Sequence, residues 1–425
     1  MSGGQDARTL AVIGLLVVLS FILPHGQSDF MAIWLAGDAY AHGQFDLIYP
    51  PVGDVFTMSA PAQWIARARE IGFEGEVFPF LYPPLWAAVF GWITTVAPLS
   101  VAADLVDVAN PLLFAATLGL ALRLSGTRMA RDRYVLVGMA LYFVTSVGFV
   151  ALYQGQAQIL IAFLTLLAIE RAENDRPVAA GIALAFAAAL KLYPALLVLI
   201  WLAEGRRRAA LVFLLAGGGL ALFSVAVAGW PLHADFLAGV SAISGTVMIS
   251  PIIFSIDSLA AQALLPDAIV YVPSTVAGGD AASGWFVIAK PHWLRLALLA
   301  AELGVVAVHA ILLRRVRQPG PRAMIWGAAL IGIGLFGPIS WSYHYIAPMA
   351  LVPLLADRRG WAGWALVLVA ALGLSVYMPE FGATVPVAID LRQVIGTTTL
   401  VVLWVAFVGY ALRPDGSARS RPAPP

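Results

Sequence analysis

Leu81-Tyr82-Pro83-Pro84-Leu85-Trp86-Ala87-Ala88-Val89-Phe90-Gly91-Trp92-Ile93-Thr94-Thr95-Val96-Ala97 is an apolar run that carries no charge. A helix needs about 20 apolar residues to cross the ~30 Å hydrocarbon layer of a bilayer, with a lower limit near 17. Whether this run crosses decides on which side every later loop lies.

The chain around it is built for lipid. Of 425 residues, 61% are hydrophobic and 12% charged, about half the charged fraction of a soluble domain. Apolar runs recur near spanning length, which predicts an all-α polytopic membrane protein. A net charge of +1 excludes nucleic-acid binding by bulk basicity. The chain has no cysteine, so neither disulfides nor thiolate metal sites are available. Near the N-terminus, Arg8 and the run 9–23 resemble a signal sequence. Pro24-His25-Gly26-Gln27 offers no good cleavage site, so the run reads as an uncleaved anchor.

Arginines orient the path, because positive loops stay cytoplasmic. They gather at Arg128/Arg131/Arg133, Arg206-Arg207-Arg208, Arg314/Arg315/Arg317/Arg322, Arg358-Arg359 and Arg413/Arg419/Arg421. All fall inside if 81–97 stays half-embedded on the outer face. The crossings are then 9–23, 101–124, 134–151, 156–169, 178–190, 195–203, 209–229, 293–313, 323–339, 345–356, 361–378 and 393–412. That is about twelve, with both termini inside. Pro194 breaks the chain after Lys191-Leu192-Tyr193, which predicts a hairpin with Lys191 at its outer tip. One helix over 178–203, kinked at Pro194, is the alternative. The large outer segments are 25–100 and 230–292. The first holds an amphipathic surface piece at 63–69, and the second a candidate lid from Pro273 to Gly284. The whole reads as one membrane domain over 1–412, made of a module 9–229, the loop 230–292 and the helices 293–412, with a disordered cytoplasmic tail 413–425.

Polar residues collect at the outer helix ends. Ser28-Asp29-Phe30-Met31-Ala32-Ile33-Trp34 follows the first apolar run, Tyr153-Gln154-Gly155-Gln156-Ala157-Gln158 forms one outer turn, and Ser340-Trp341-Ser342-Tyr343-His344-Tyr345 another. Asp29, Gln154, Gln156, Lys191 and His344 thus share one face. Each has an ordinary role open to it. Ser28 or Asp29 can cap a helix, Lys191 can snorkel to head groups, His344 can sit in an aromatic belt, and the glutamines can close a turn. Together, a carboxylate beside a lysine and a histidine forms a set able to deprotonate an acceptor and hold a phosphate.

Ser28-Asp29-Phe30, Trp34, Ala36-Gly37, Leu47-Ile48-Tyr49, Tyr82-Pro83-Pro84-Leu85, Gly155-Gln156, Lys191-Leu192-Tyr193-Pro194 and Ser340-Trp341-Ser342-Tyr343-His344 resemble, in order and spacing, glycosyltransferase family 87. The chain departs from that pattern at Gln158, where members often carry asparagine, and at Ile256-Asp257-Ser258-Leu259, where they read Asn-x-Ser-Leu. The resemblance implies a C-type, membrane-embedded fold with a seven-helix N-terminal module. It also implies inverting transfer of a sugar, usually mannose, from a polyprenyl phosphate to a lipid-linked or glycan acceptor. The site would lie on the outer face of a bacterial cytoplasmic membrane. On that reading Asp29 is the general base, and His344 and Lys191 hold the donor phosphate. Trp34, Asp38, Tyr82, Gln154, Gln156 and Tyr343 line the substrate. No cofactor is expected: a lone aspartate favours a metal-independent reaction, with Asp38 or Asp257 left to complete a divalent-cation site if one exists. The partners are membrane lipids, the donor and the acceptor, no nucleic acid, and the chain is expected as a monomer. A lipid transporter or flippase would use the same intramembrane Lys191 and glutamines, although no internal repeat is visible.

Overall fold

The computed structural model describes residues 2–23, 25–273, 284–377 and 390–413. The decisive run forms α4, Pro84–Val96, the fourth helix after α1 (Ser2–Ile22), α2 (Ser28–Ala41) and α3 (Ala62–Glu70). Pro83 holds the extended angles of an N-cap and Pro84 opens the helix, where a missing N–H costs nothing. Pro98 follows an extended Ala97 and closes it. The 13 residues that remain span about 20 Å, short of the hydrocarbon layer. Instead α4 lies along α2. The two helices touch through Gly37 and Gly91: a Cβ on Gly37 would stand 2.6 Å from the Phe90 backbone, and one on Gly91 2.8 Å from the Tyr40 ring.

The rest is a helical bundle: α5 (Leu99–Ser125), α6 (Arg131–Val144), α7 (Ser146–Tyr153), α8 (Gln158–Glu173), α9 (Pro177–Leu190), α10 (Leu197–Glu204), α11 (Arg207–Ala228), α12 (Trp230–Gly245), α13 (Ile256–Leu264), α14 (His292–Arg315), α15 (Pro319–Phe336), α16 (Ile346–Met349), α17 (Pro353–Gly373) and α18 (Leu391–Leu412). Among the described residues, α5, α11, α14 and α18 are long and apolar enough to cross a membrane. Of the other expected crossings, those over 9–23 and 323–339 fall on the unbroken helices α1, of 21 residues, and α15, of 18, and the rest are shorter or broken. That expected over 134–151 splits at Thr145, because its backbone leaves the helix to pair with Ser375; Ser146 N–H donates to the Leu374 carbonyl at 2.8 Å. That expected over 345–356 is a run of tight turns, where Pro348 and Pro353 withhold donors. Its carbonyls are satisfied by side chains instead: Tyr142 donates to Ile346 at 2.9 Å and Tyr134 to Ala350 at 2.8 Å. Irregular backbone at such depth is tolerated only when buried in protein.

The break at Lys191 is a true reversal. Lys191 is extended, Tyr193–Leu196 forms a 3-10 turn, and α10 returns packed against α14 and α11. Arg206, just past α10, ion-pairs with Glu173 at the end of α8 at 3.1 Å. A single kinked helix would have set those two at opposite ends. Arg131 on Asp6, Arg123 on Glu170, and Arg322 on Glu204 gather the described arginine clusters at that same end. The side chains of Arg358 and Arg359, and residues 414–425 of the tail, lie outside the described residues.

The segment 230–292 corrects the expectation of an all-α chain. Beside α12 and α13 it holds an antiparallel sheet of β1 (Thr246–Ile249), β2 (Ile269–Pro273) and β3 (Gly284–Ala289), ordered β1-β3-β2. Val247 faces Ile288, and Tyr271 faces Phe286. Val, Ile, Tyr and Phe are strand formers, a signal present in the sequence and masked by the surrounding apolar composition. The lid expected from Pro273 to Gly284 falls on 274–283, outside the described residues.

Candidate active site

Two adjoining cavities open at the end of the bundle opposite the arginines. The first, about 170 Å³, is lined by Asp29, Tyr82, Gln156, Lys191, Tyr343 and His344, with Leu81, Phe78, Trp341 and others completing its walls. The second, about 210 Å³, is mostly apolar: Leu192, Phe236, Val240, Leu330 and Ile333 line it, with Tyr193, Ser244, Glu302 and Ser340 among its polar groups. Leu81, Lys191, Ile243, Pro338 and His344 border both. Lys191 and His344 therefore stand at the doorway between a polar chamber and an apolar one.

Asp29 sits in the first turn of α2, yet it does not cap that helix. The N-cap position is Gln27, in the left-handed region at φ 51°, with no side-chain cap bond. The free N–H groups of Asp29 and Phe30 donate to the backbone carbonyl of Gln154, at 3.1 and 3.2 Å. The carboxylate is left for the cavity. It takes a hydrogen bond from the Gln156 side chain, whose Oε1 accepts from the Tyr82 hydroxyl at 3.0 Å. Burial lifts the Asp29 pKa to about 6, opposed by the Gln156 amide and by the charge of Lys191. A group of this kind is a base at neutral pH and not a permanently inert anion.

Lys191 reaches His344 across the doorway, Nζ to Nε2 2.6 Å, and lies 5.5 Å from the centre of the Tyr343 ring. Burial pulls the Lys191 pKa down to about 8, while Asp29 pulls the other way. Burial and the neighbouring ammonium push His344 well below its usual range. His344 is therefore neutral, and since Nε2 accepts from the lysine its ring proton resides on Nδ1. The Tyr193 ring packs on His344 at 5.6 Å, and the Tyr193 hydroxyl accepts from Gln158 at 2.6 Å.

Three expected site residues stand elsewhere. Trp34 is buried in the packing around α2, five residues and about 140° around the helix from Asp29. Asp38 lies about 180° round and pairs with Arg67 at 3.1 Å. Gln154 contributes its backbone carbonyl, and its side chain does not border the cavity. The sequence reading also missed Ile339, a wall residue held at φ 45°, where a β-branched side chain is strained. The strain is held by flanking backbone bonds, Phe254 N–H to the Ser340 carbonyl at 2.8 Å and Ser342 N–H to the Ile252 carbonyl at 2.7 Å. A glycine would have flagged the conformation; isoleucine gives no signal. Among the described residues no group of three or more His, Asp or Glu side chains is spaced to hold a metal ion.

A family model, described as glycosyltransferase family 87, matches residues 80–338, more than half of the chain. The chain belongs to glycosyltransferase family 87. As a member of family 87 with four membrane-length helices, it is a membrane glycosyltransferase. The matched stretch includes Tyr82, Gln156 and Lys191, while Asp29 and His344 flank it on either side. Among solved structures the chain is similar to ArnT from Cupriavidus metallidurans bound to undecaprenyl phosphate, at 13% identity and a TM-score of 0.36, over 97% of this chain and 78% of that one. No curated protein matches.

Proposed function

We propose that this family 87 enzyme transfers a sugar, mannose in the first instance, from a polyprenyl phosphate to a lipid-linked or glycan acceptor by one inverting displacement. The reading rests above all on the doorway: a buried ammonium and a neutral imidazole stand between a polar chamber holding one carboxylate and an apolar chamber. A polyprenyl-phosphate sugar has the same three parts in the same order. Its chain suits the apolar chamber, its phosphate meets Lys191 Nζ and His344 Nδ1–H, and its sugar faces Asp29.

The chemistry follows from the groups available. The acceptor hydroxyl is a weak nucleophile and the phosphate a good leaving group. The work left is proton removal and in-line orientation on the face of C1 opposite the phosphate. Among the described residues, Asp29 is the only carboxylate bordering the polar chamber, which suits a single displacement; a double displacement needs a nucleophile as well. As the C1–oxygen bond breaks, the phosphate gains charge. Lys191 and His344 stabilise it there, the lysine doing what a divalent cation would otherwise do. The reaction is read as metal-independent, so chelation with EDTA leaves turnover unchanged. Around this site the fold is read as the C-type membrane glycosyltransferase arrangement, working as a monomer.

The site is read on the outer face of the cytoplasmic membrane and the arginine end inside. In intact cells, a membrane-impermeant thiol reagent should label Gly53→Cys and spare Arg317→Cys. The reverse pattern would turn the arrangement over. The reaction is tested with purified protein in detergent, labelled polyprenyl-phosphate mannose as donor and octyl α-mannoside as acceptor probe. Label should pass to the glycoside with inversion at C1; donor that is bound but never consumed would refute the reading.

A further inference from the structure

The turn Gln154-Gly155-Gln156-Ala157-Gln158 between α7 and α8 reaches Asp29 directly and His344 through Tyr193, and each glutamine plays a different part. The Gln154 carbonyl takes the N–H groups of Asp29 and Phe30 and so fixes where α2 begins. Gly155 adopts φ +63°, and a Cβ there would stand 2.9 Å from Phe30 Cβ, so only glycine lets the turn come this close. Gln156 is 3% exposed and both ends of its amide are engaged: Oε1 with Tyr82, the NH₂ with the Asp29 carboxylate. Gln158, fully buried, donates to the Tyr193 hydroxyl, and that ring packs on His344.

We propose that this turn positions both halves of the reaction centre, Gln156 orienting the Asp29 carboxylate and Gln158, through Tyr193, orienting the His344 imidazole. The proposal rests on the roles assigned above to Asp29 and His344 and changes that of Gln156. An amide held at its oxygen by Tyr82 and bonded through its NH₂ to Asp29 has a fixed orientation, which it passes to the carboxylate; Gln156 is a positioning residue. Shared supports on one rigid turn keep base and phosphate group in register with each other, which a single displacement requires.

The two glutamines should separate in kinetics. Around Asp29 stand Lys191 from the end of α9, Tyr82 from the segment before α4, and Tyr343 and His344 from the turn before α16. Of these, Lys191 and Gln156 favour the charged carboxylate. Removing the Gln156 amide leaves burial less opposed, so the proton is held more tightly. With the full-length protein, the same donor and octyl α-mannoside, Gln156→Ala should lower kcat about tenfold and move the acid limb of kcat/KM up by about one pH unit. Its affinity for polyprenyl phosphate, measured separately, should stay at the wild-type value. Gln158→Ala should weaken polyprenyl phosphate binding about tenfold and leave the acid limb in place. Tyr82→Phe removes only the hydroxyl that holds Gln156, and should move the acid limb in the same direction by less, so the inference stays testable if Gln156→Ala folds poorly. An unmoved acid limb in both Gln156→Ala and Tyr82→Phe overturns the proposal, and so does wild-type binding in Gln158→Ala. If the wild-type protein itself transfers no sugar, the functional reading falls; if it transfers normally and the glutamine variants match it, only this inference falls.

Discussion

Two clusters of buried charge sit at opposite ends of the bundle, and they are built on opposite plans. At the arginine end, Arg322 pairs with Glu173 at 2.6 Å and with Glu204 at 2.6 Å, while Arg206 pairs with the same two carboxylates at 3.1 and 3.4 Å. Trp326 adds a bond to Glu173 at 2.9 Å, and Arg322 also donates to the Leu313 and Val316 carbonyls at the end of α14. Two cations face two anions in a closed ring that ties α8, α10, α14 and α15 together. At the other end, Asp29 and Lys191 sense each other's charge, yet among the described residues neither has an ion-pair partner. Asp29 is held by an amide and Lys191 by an imidazole. A buried charge matched by its opposite is spent on structure; one held by neutral groups beside a cavity stays free to act on a ligand.

Substitutions at the two ends should act on different properties. The largest effect is expected at the ring: Arg322→Ala leaves Glu173 and Glu204 short of a partner and should cost about 3–5 kcal/mol of stability. Thermal unfolding in detergent would show it, while turnover per folded molecule stays near wild type. A variant of unchanged stability but lost turnover would assign the ring to catalysis. Next in size are Lys191→Ala and His344→Ala. A preorganised donor lost beside developing phosphate charge is worth about 2–4 kcal/mol, read as weaker donor use with an unchanged unfolding temperature. Normal donor use in both would return these residues to anchoring roles at the membrane surface.

A smaller effect sharpens the same contrast through pH. Asp29 must be deprotonated to act as a base, and its pKa is raised to about 6. Lys191 must be protonated to hold phosphate, and its pKa is lowered to about 8. kcat/KM should therefore fall below about pH 6 and again above about pH 8. Lys191→Arg, which stays charged, should remove the alkaline fall and keep the acid one. A profile flat from pH 5 to 9 would contradict these assignments.

The amino-acid sequence disclosed the punctuation of this fold more clearly than its contacts. Pro83-Pro84 and Pro98 bound α4, and Pro194 turns the chain at Lys191; proline acts locally, so its effect can be read locally. Arginine clusters likewise reported a shared end. The break at Thr145 was hidden, because it depends on strand-like pairing with Ser375; Pro348 and Pro353 marked the turns through 346–352, but not the distant tyrosines that satisfy their carbonyls. In the site, Asp29, Gln156, Lys191 and His344 were legible as polar residues stranded at apolar helix ends. What they touch was not: Lys191 and His344 meet across 153 positions, and Gln156 reaches Tyr82 across 74. Trp34 and Asp38, placed at the substrate by the family resemblance, lie round α2 from Asp29, one in packing and one paired with Arg67, and that turn of the helix is not visible in a motif.

The claim on which the rest depends is that the Asp29 carboxylate takes the acceptor proton. Asp29→Asn keeps the shape and the hydrogen bonding of the side chain and removes the base, so it isolates that step. Transfer from polyprenyl-phosphate mannose should fall by about 100-fold or more, with donor affinity and unfolding temperature both near wild type. Wild-type turnover in Asp29→Asn would contradict the account and leave Asp29 as part of the packing at the start of α2.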